Sequence, residues 1–270
     1  MQGDMTDEDK KDFTINLARE VEETLNRFYD VFALRAFNCK SHRFFIKGEN
    51  IASSALWVAK KRYAMAKIYD LEKMQDVDKM AVKGLDVVRS SFPAAFRDFM
   101  NELLMDILRG EPKELLDKKI LDFKPSLKDK PILDIARNTS ANNMTKYGDM
   151  GKEEVGMNDF KKGTPAHIKA CLVYNRLLKV LGLDKQYEPI VDGDKIKYVM
   201  LKPNRYKIAS LAIKGYQDPP ELVQMIEEHI DTDAMFDNEL RNKLDDFYSA
   251  LKWGNIPTEV NQNADAFFAF

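Results

Sequence analysis

The sequence predicts an α+β protein: a long helix and short antiparallel strands up to about Arg89, then a mainly helical region with a small β insert, then a flexible tail. Three observations predict it. Apolar residues recur every three to four positions from Asp7 to Asn38, β-formers and aromatics cluster between His42 and Tyr69, and helical periods punctuated by Gly and Pro run from Ser90 to Gly254. At 270 residues and 44% hydrophobic content, the chain is long enough to bury a sizeable core in about two structural units.

The first helix is read from Phe13, Leu17, Val21, Leu25, Phe28 and Phe32, a stripe expected to pack on a neighbouring layer. Three short runs follow, His42–Lys47, Ile51–Val58 and Arg62–Tyr69, read as antiparallel strands. They are few for a stable sheet, so part of that sheet is expected to lie outside this chain. Beyond Arg89, Ser90 or Ser91 is placed to cap a helix with Pro93 in its first turn. Phe92, Phe96, Phe99, Leu103, Leu104 and Ile107 line its inner face until Gly110. Thr164 and Pro165 open another, with Ile168, Leu172, Leu178 and Leu181 inside and Gly182 at its end. Lys195 to Leu201 reads as a strand through Ile196, Tyr198 and Met200. After Pro219-Pro220 come two more helices, the second carrying Met235, Phe236, Leu240, Leu244, Phe247 and Leu251 before Gly254.

Charge and composition exclude several classes. With 42 basic against 44 acidic residues the net charge is -2, so no global basic surface exists. The basic signal is local: Lys40, Arg43, Lys47, Lys60, Lys61, Arg62 and Lys67 face only Glu49 and Asp70 between Lys40 and Asp70. Cys39 and Cys171 are the only cysteines, the N-terminus is acidic and polar with no apolar run suited to a signal peptide, and no run of 18 apolar residues occurs. A reducing, intracellular compartment without a membrane span is expected. His42, His167 and His229 are scattered, do not form a metal-ligand grouping with the cysteines, and read as structural.

The motif with most chemical content is Lys60-Lys61-Arg62-Tyr63, placed after an apolar run. Alone, it also fits a solvated surface run or a strand edge guarded by lysines. Five further stretches follow: Lys83-Gly84-Leu85 running to Pro93; Ser140-Ala141-Asn142-Asn143-Met144-Thr145-Lys146-Tyr147; Pro165-Ala166-His167-Ile168-Lys169 running into Val173-Tyr174-Asn175-Arg176; Gly193-Asp194-Lys195-Ile196-Lys197-Tyr198; and Asp233-Ala234-Met235-Phe236. In this order they resemble the C-terminal portion of family-B replicative DNA polymerases of T-even-like bacteriophages. The resemblance implies a partial palm over residues 1–89, a thumb over 90–254, and a linker with a clamp-binding peptide over 255–270.

The resemblance also implies what is missing. Nucleotidyl transfer in this family uses two carboxylates that hold two metal ions about 3.5–4 Å apart. By the resemblance those carboxylates lie upstream, so no catalytic residue and no metal ligand is expected in this chain. Mg²⁺ would be bound by a partner chain that also brings the exonuclease, the fingers and the catalytic palm. Two look-alikes are set aside. Tyr147-Gly148-Asp149 lacks a second acid after Asp149, and the Asp231 of Asp231-Thr232-Asp233 stands where a helix cap belongs. The acidic, polar leader after Met1 suits a natural start and hence a two-chain polymerase that is inactive as this half alone, with an excised fragment as the alternative.

A replicative enzyme must hold any duplex, so its contacts belong on phosphates, sugars and universal minor-groove acceptors. Lys60, Lys61, Arg62 and Tyr63 are expected beside the primer 3′ end of primer-template DNA. Asn142, Asn143, Lys146 and Tyr147 suit a loop on the DNA backbone, or the asparagines only shape a turn. His167 and Lys169 sit in the first helical turns, where free N–H groups favour phosphate, or His167 simply caps. Phe267, Phe268 and Phe270 end the chain after a polar linker; the resemblance implies a hook for the sliding clamp, and the alternative is a tail folded back on its own thumb. The implied location is the cytoplasm of an infected bacterial host. A stand-alone DNA-binding or processivity factor is the competing reading.

Overall fold

Thr6 starts the first helix, α1 (Asp7–Phe37), with a capping box: its hydroxyl accepts the Asp9 N–H at 3.2 Å, while the Asp9 carboxylate accepts the Thr6 N–H at 3.1 Å. Asn38, in the left-handed conformation, ends it. The computed structural model describes residues 5–148 and 156–258, which fall into two compact units. One runs to Lys83 and includes Ile107–Arg109; the other comprises Gly84–Asp106 and the residues from Gly110 on.

Within the first unit, α1 is followed by β1 (Asn50–Ala59), β2 (Arg62–Asp70) and β3 (Gln75–Lys83) in an antiparallel sheet of order β1-β2-β3. Two expectations are corrected. His42–Lys47 is not a strand, because its backbone is bound by α1: the Asn26 side chain accepts the Ile46 N–H and donates to the Ile46 carbonyl, both at 2.9 Å, and Glu22 accepts the Gly48 N–H. An asparagine amide thus replaces the neighbouring strand. The third strand is β3, whose Asp76, Asp78, Lys79 and Lys83 hide its β character from any reading by hydrophobicity.

The stripe of α1 is the second correction. Phe13, Leu17, Val21, Phe28 and Phe32 are 40% to 60% exposed, whereas the buried residues of the helix are Ile15 and Ala33. In the sheet the asymmetry repeats. Leu56 and Ala64 are buried on one face, while on the other Trp57, at 63% exposure, pairs with Tyr63.

The second unit is built on helices. α2 (Ala94–Arg109) buries Phe96, Phe99, Met100, Leu103 and Leu104, and α3 (Lys113–Ser126) adds Leu116, Ile120 and Phe123. The Phe99 and Phe123 rings stack at 3.9 Å. Then come α4 (Ile132–Ile135), β4 (Arg137–Ser140), α5 (Met144–Gly148), α6 (Ala166–Val180), β5 (Lys195–Met200) and β6 (Ser210–Ile213). The three strands form a second antiparallel sheet of order β4-β5-β6. All four β6 residues are buried, as are Ile168, Cys171, Leu172, Leu177 and Leu178 of α6.

α7 (Pro220–His229), α8 (Thr232–Phe236) and α9 (Asn242–Leu251) close the unit, with a π-helical turn, Asp237–Arg241, between the last two. That turn carries Glu239 inward to 3% exposure, where Arg137 donates to its carboxylate at 3.1 Å. Among the described residues, no helix is long and apolar enough to cross a membrane.

Candidate nucleic-acid interface

Lys60 and Lys61 form the two-residue turn between β1 and β2, closed by the Ala59–Arg62 pair. The register shifts between Trp57 and Ala59, and Lys61 adopts φ 64°, a left-handed conformation that normally selects Gly or Asn. A lysine there costs about 1 kcal/mol or more in backbone strain, and such strain concentrates at functional positions. Both lysines are exposed, while Arg62 and Tyr63 are half-buried at the start of β2. The motif therefore sits on a projecting hairpin tip. Across the strands, the Trp57 and Tyr63 rings lie 4.8 Å apart at 41°.

In the second unit, Asn142 and Asn143 are exposed between β4 and α5, with Asn143 at φ 59° shaping the turn. The loop is pinned from the side: Asp192 accepts the Met144 N–H at 2.7 Å, and Ala141 exchanges backbone bonds with Gly193 and Asp194. Lys146 lies 5.2 Å over the ring of half-buried Tyr147, so these two expected site residues form one cation–π pair.

The α6 start is arranged differently from the expectation. Pro165 occupies the cap position, the Thr164 hydroxyl donates to the Lys161 carbonyl, and His167 caps nothing. His167 is half-buried with its ring 6.4 Å from that of Tyr198. Burial, with Arg137 adding to it, holds its pKa below the usual histidine value, so the imidazole favours the neutral form. Lys169 and Arg176 both lie over the Phe160 ring, and Arg176 donates to the Met157 and Asp159 carbonyls. They clamp the 157–160 segment onto α6.

A groove of about 400 Å³ was missed by the sequence reading. Ser90, Ser91, Asn138, Thr139, Ser140, Lys195, Lys197 and Lys214 line it, drawn from separate stretches of chain, with the Lys197 and Lys214 ammonium groups donating to the Leu133 and Pro189 carbonyls. Asn138 donates to the Ser90 carbonyl at 3.0 Å, fixing β4 to the turn before α2, and Lys195 donates to the Ser140 hydroxyl at 2.7 Å across β4 and β5. Such a lining suits an anionic backbone and offers no pattern for reading bases. Lys195 and Lys197 alternate about Ile196; nothing in one stretch announces the serines opposite.

No group of three or more His, Cys, Asp or Glu that could hold a metal ion occurs among the described residues. Asp231 is a cap, its carboxylate accepting the Ala234 N–H at 2.9 Å. Asp149 and the tail phenylalanines, Phe267, Phe268 and Phe270, lie outside the described residues.

Comparison with known proteins gives the family. The family model for DNA polymerase family B matches residues 9–251. The chain is 31% identical over 147 residues to a DNA-directed DNA polymerase of Enterobacteria phage T4, a stretch covering 54% of this chain and 15% of the relative. It is 28% identical over 201 residues to the DNA-directed DNA polymerase of Escherichia phage RB69, covering 71% of this chain and 21% of that protein. The matched region thus spans about a fifth or less of the relatives' own length. With the match running from α1 to the end of α9, the chain belongs to DNA polymerase family B.

Proposed function

We propose that this chain is the C-terminal part of a DNA-directed DNA polymerase: it grips primer-template duplex and tethers the enzyme to a sliding clamp, while a partner chain supplies the catalytic aspartates. In this reading residues 1–89 are the distal palm, 90–254 the thumb and 255–270 the linker and clamp-binding peptide. The observation that carries it is the Lys60-Lys61 turn, two exposed lysines held on a strained hairpin tip in a chain of this family.

The hairpin would hold the backbone near the primer terminus, and the hydroxyl–lysine groove would hold phosphates further along the duplex. Both suit sequence-independent holding, since a lysine reaches a phosphate without regard to the base attached. Mg²⁺ is assigned to carboxylates of the partner chain. The uncovered stripe of α1 supports that partner: apolar side chains at this exposure are ordinarily covered by another layer, and α1 lies inside the family match. A partner that covers this stripe and adds strands to the edge of the sheet would bury above about 2,000 Å², as obligate interfaces do. The tail would act as a flexible tether that raises the local concentration of the clamp. The setting is the cytoplasm of an infected bacterial host.

The test is primer extension with purified components. The chain alone should incorporate no nucleotide, and extension should appear when the polypeptide carrying the remainder of the polymerase is added. Metal-dependent extension by the chain alone would refute the two-chain reading. Deleting Phe267 to Phe270 should spare short extension by the reconstituted enzyme and abolish its stimulation by the clamp.

A further inference from the structure

One face of the first sheet gathers lysines around an aromatic pair. Along the regular part of β3, Met80 and Val82 share one face, whereas Lys79 and Lys83 point to the other. On that second face Lys83 pairs with Tyr63, which pairs with Trp57, and Lys79 pairs with Lys67. Ala55, Met65 and Ala81 lie between these two rows, so the aromatic pair is not walled in. Tyr63 occupies one side of the Trp57 ring at 4.8 Å, and Trp57 remains 63% exposed, the hairpin tip with Lys60 and Lys61 lying just beyond.

An exposed indole next to a lysine turn, with Lys83 one strand beyond Tyr63, is a different feature from the stripe of α1, whose exposed residues are aliphatic and phenyl groups on a helix of mixed charge. The α1 stripe suits an apolar protein layer. The Trp57 face suits an anion that also carries a flat ring. Duplex DNA keeps its base faces stacked inside, while single-stranded DNA offers each base face to an aromatic platform and each phosphate to a cation.

We propose that Trp57, backed by Tyr63, is a stacking platform for an unpaired nucleotide of single-stranded DNA, with Lys60, Lys61 and Lys83 on its flanking phosphates. This rests on the reading of the hairpin as a DNA-holding element and adds to it a residue and a strand state. The site takes any base, because every base has a ring face to stack.

The chain has two tryptophans, so Trp253→Phe leaves Trp57 as the single reporter. Its fluorescence is titrated with a 15-residue oligothymidylate and, separately, with a blunt duplex of equal length. Saturable quenching by the oligothymidylate, with little by the duplex, is the expected result. Trp57→Ala should weaken oligothymidylate binding by about tenfold or more and duplex binding far less, whereas Trp57→Phe should stay near the parent. Circular dichroism melts of each variant separate lost stacking from lost folding. If Lys60→Ala weakens DNA binding while Trp57 shows no quenching and Trp57→Ala no selective loss, the platform is refuted and the DNA-holding reading survives. If the parent protein binds neither DNA, both fall.

Discussion

The two units treat their apolar residues in opposite ways. In the second unit, Phe96, Leu104, Leu127, Leu177, Leu211 and Leu240 are wholly buried, and aromatic rings meet face to face across helices. In the first unit, up to Lys83, the buried hydrophobic residues are Ile15, Ala33, Ile51, Leu56 and Ala64, while eight large apolar side chains of α1 stand in the open: Phe13, Leu17, Val21, Phe28, Val31, Phe32, Leu34 and Phe37. A fully buried Phe or Leu contributes roughly 1.5–3 kcal/mol relative to an exposed one, so the second unit carries its stability within itself. The first unit leaves one helical stripe exposed. The family match thus runs unbroken through a chain whose burial of apolar residues changes at Lys83.

Removing the same type of side chain from both units separates them most sharply. Phe96→Ala should cost about 3–5 kcal/mol in denaturant unfolding, through a cavity beside Phe92 and Phe123. Phe13→Ala should move stability within about 0.5 kcal/mol, since its ring is already in water. Equal losses at the two positions would mean that the first unit is as closed as the second.

Next in size is the ion pair between buried Glu239 and half-exposed Arg137. Arg137→Met leaves the buried Glu239 carboxylate with Lys243 as its nearby cation and should cost about 1–3 kcal/mol; adding Glu239→Leu should recover much of it. Failure of the second change to rescue the first would mean that the ion pair does not hold the π-helical turn in place.

At the hairpin the expected effects are smaller and opposed. Lys61→Gly relieves a positive-φ side chain and should stabilise the first unit by roughly 1 kcal/mol, while weakening DNA binding. The slope of log affinity against log salt should flatten by about 0.9 for each phosphate no longer gripped, equally for all sequences. A sequence-selective loss would exclude gripping of the DNA backbone.

The smallest effect is set by His167. Its pKa is lowered in the folded state, so the unfolded chain binds the proton more readily, and stability should fall as pH drops below the ordinary histidine value of 6.5. His167→Gln should flatten that part of the pH–stability curve, and a curve unchanged by the substitution would show that burial at α6 does not penalise the charged ring.

Most of the architecture was legible where one period dominated. The stripes of α2, α6 and the final helical run were readable because their apolar residues are buried, and the β1–β2 hairpin because Ile51 to Tyr69 is rich in β-formers. β3 escaped because charged residues fill most of its exposed positions, and β4 and β6 because four residues are too few to show a period. α1 was recognised as a helix, but a helical stripe announces only that a layer is wanted, not which molecule provides it. At the candidate interface, Lys60 to Tyr63 could be seen because the residues are contiguous. The groove could not, since Ser90, Asn138 and Lys195 meet only through sheet pairing and one side-chain bond to a carbonyl.

Hydrogen exchange tests the central contrast most directly, read peptide by peptide on the chain alone and again with the polypeptide carrying the rest of the polymerase. Slow exchange is expected across α2, α6 and β6 in both samples, and fast exchange over α1 and β1–β3 that becomes slow only in the mixture. Equal protection of the two units in the isolated chain, unchanged on mixing, would contradict an unclosed first unit completed by a partner.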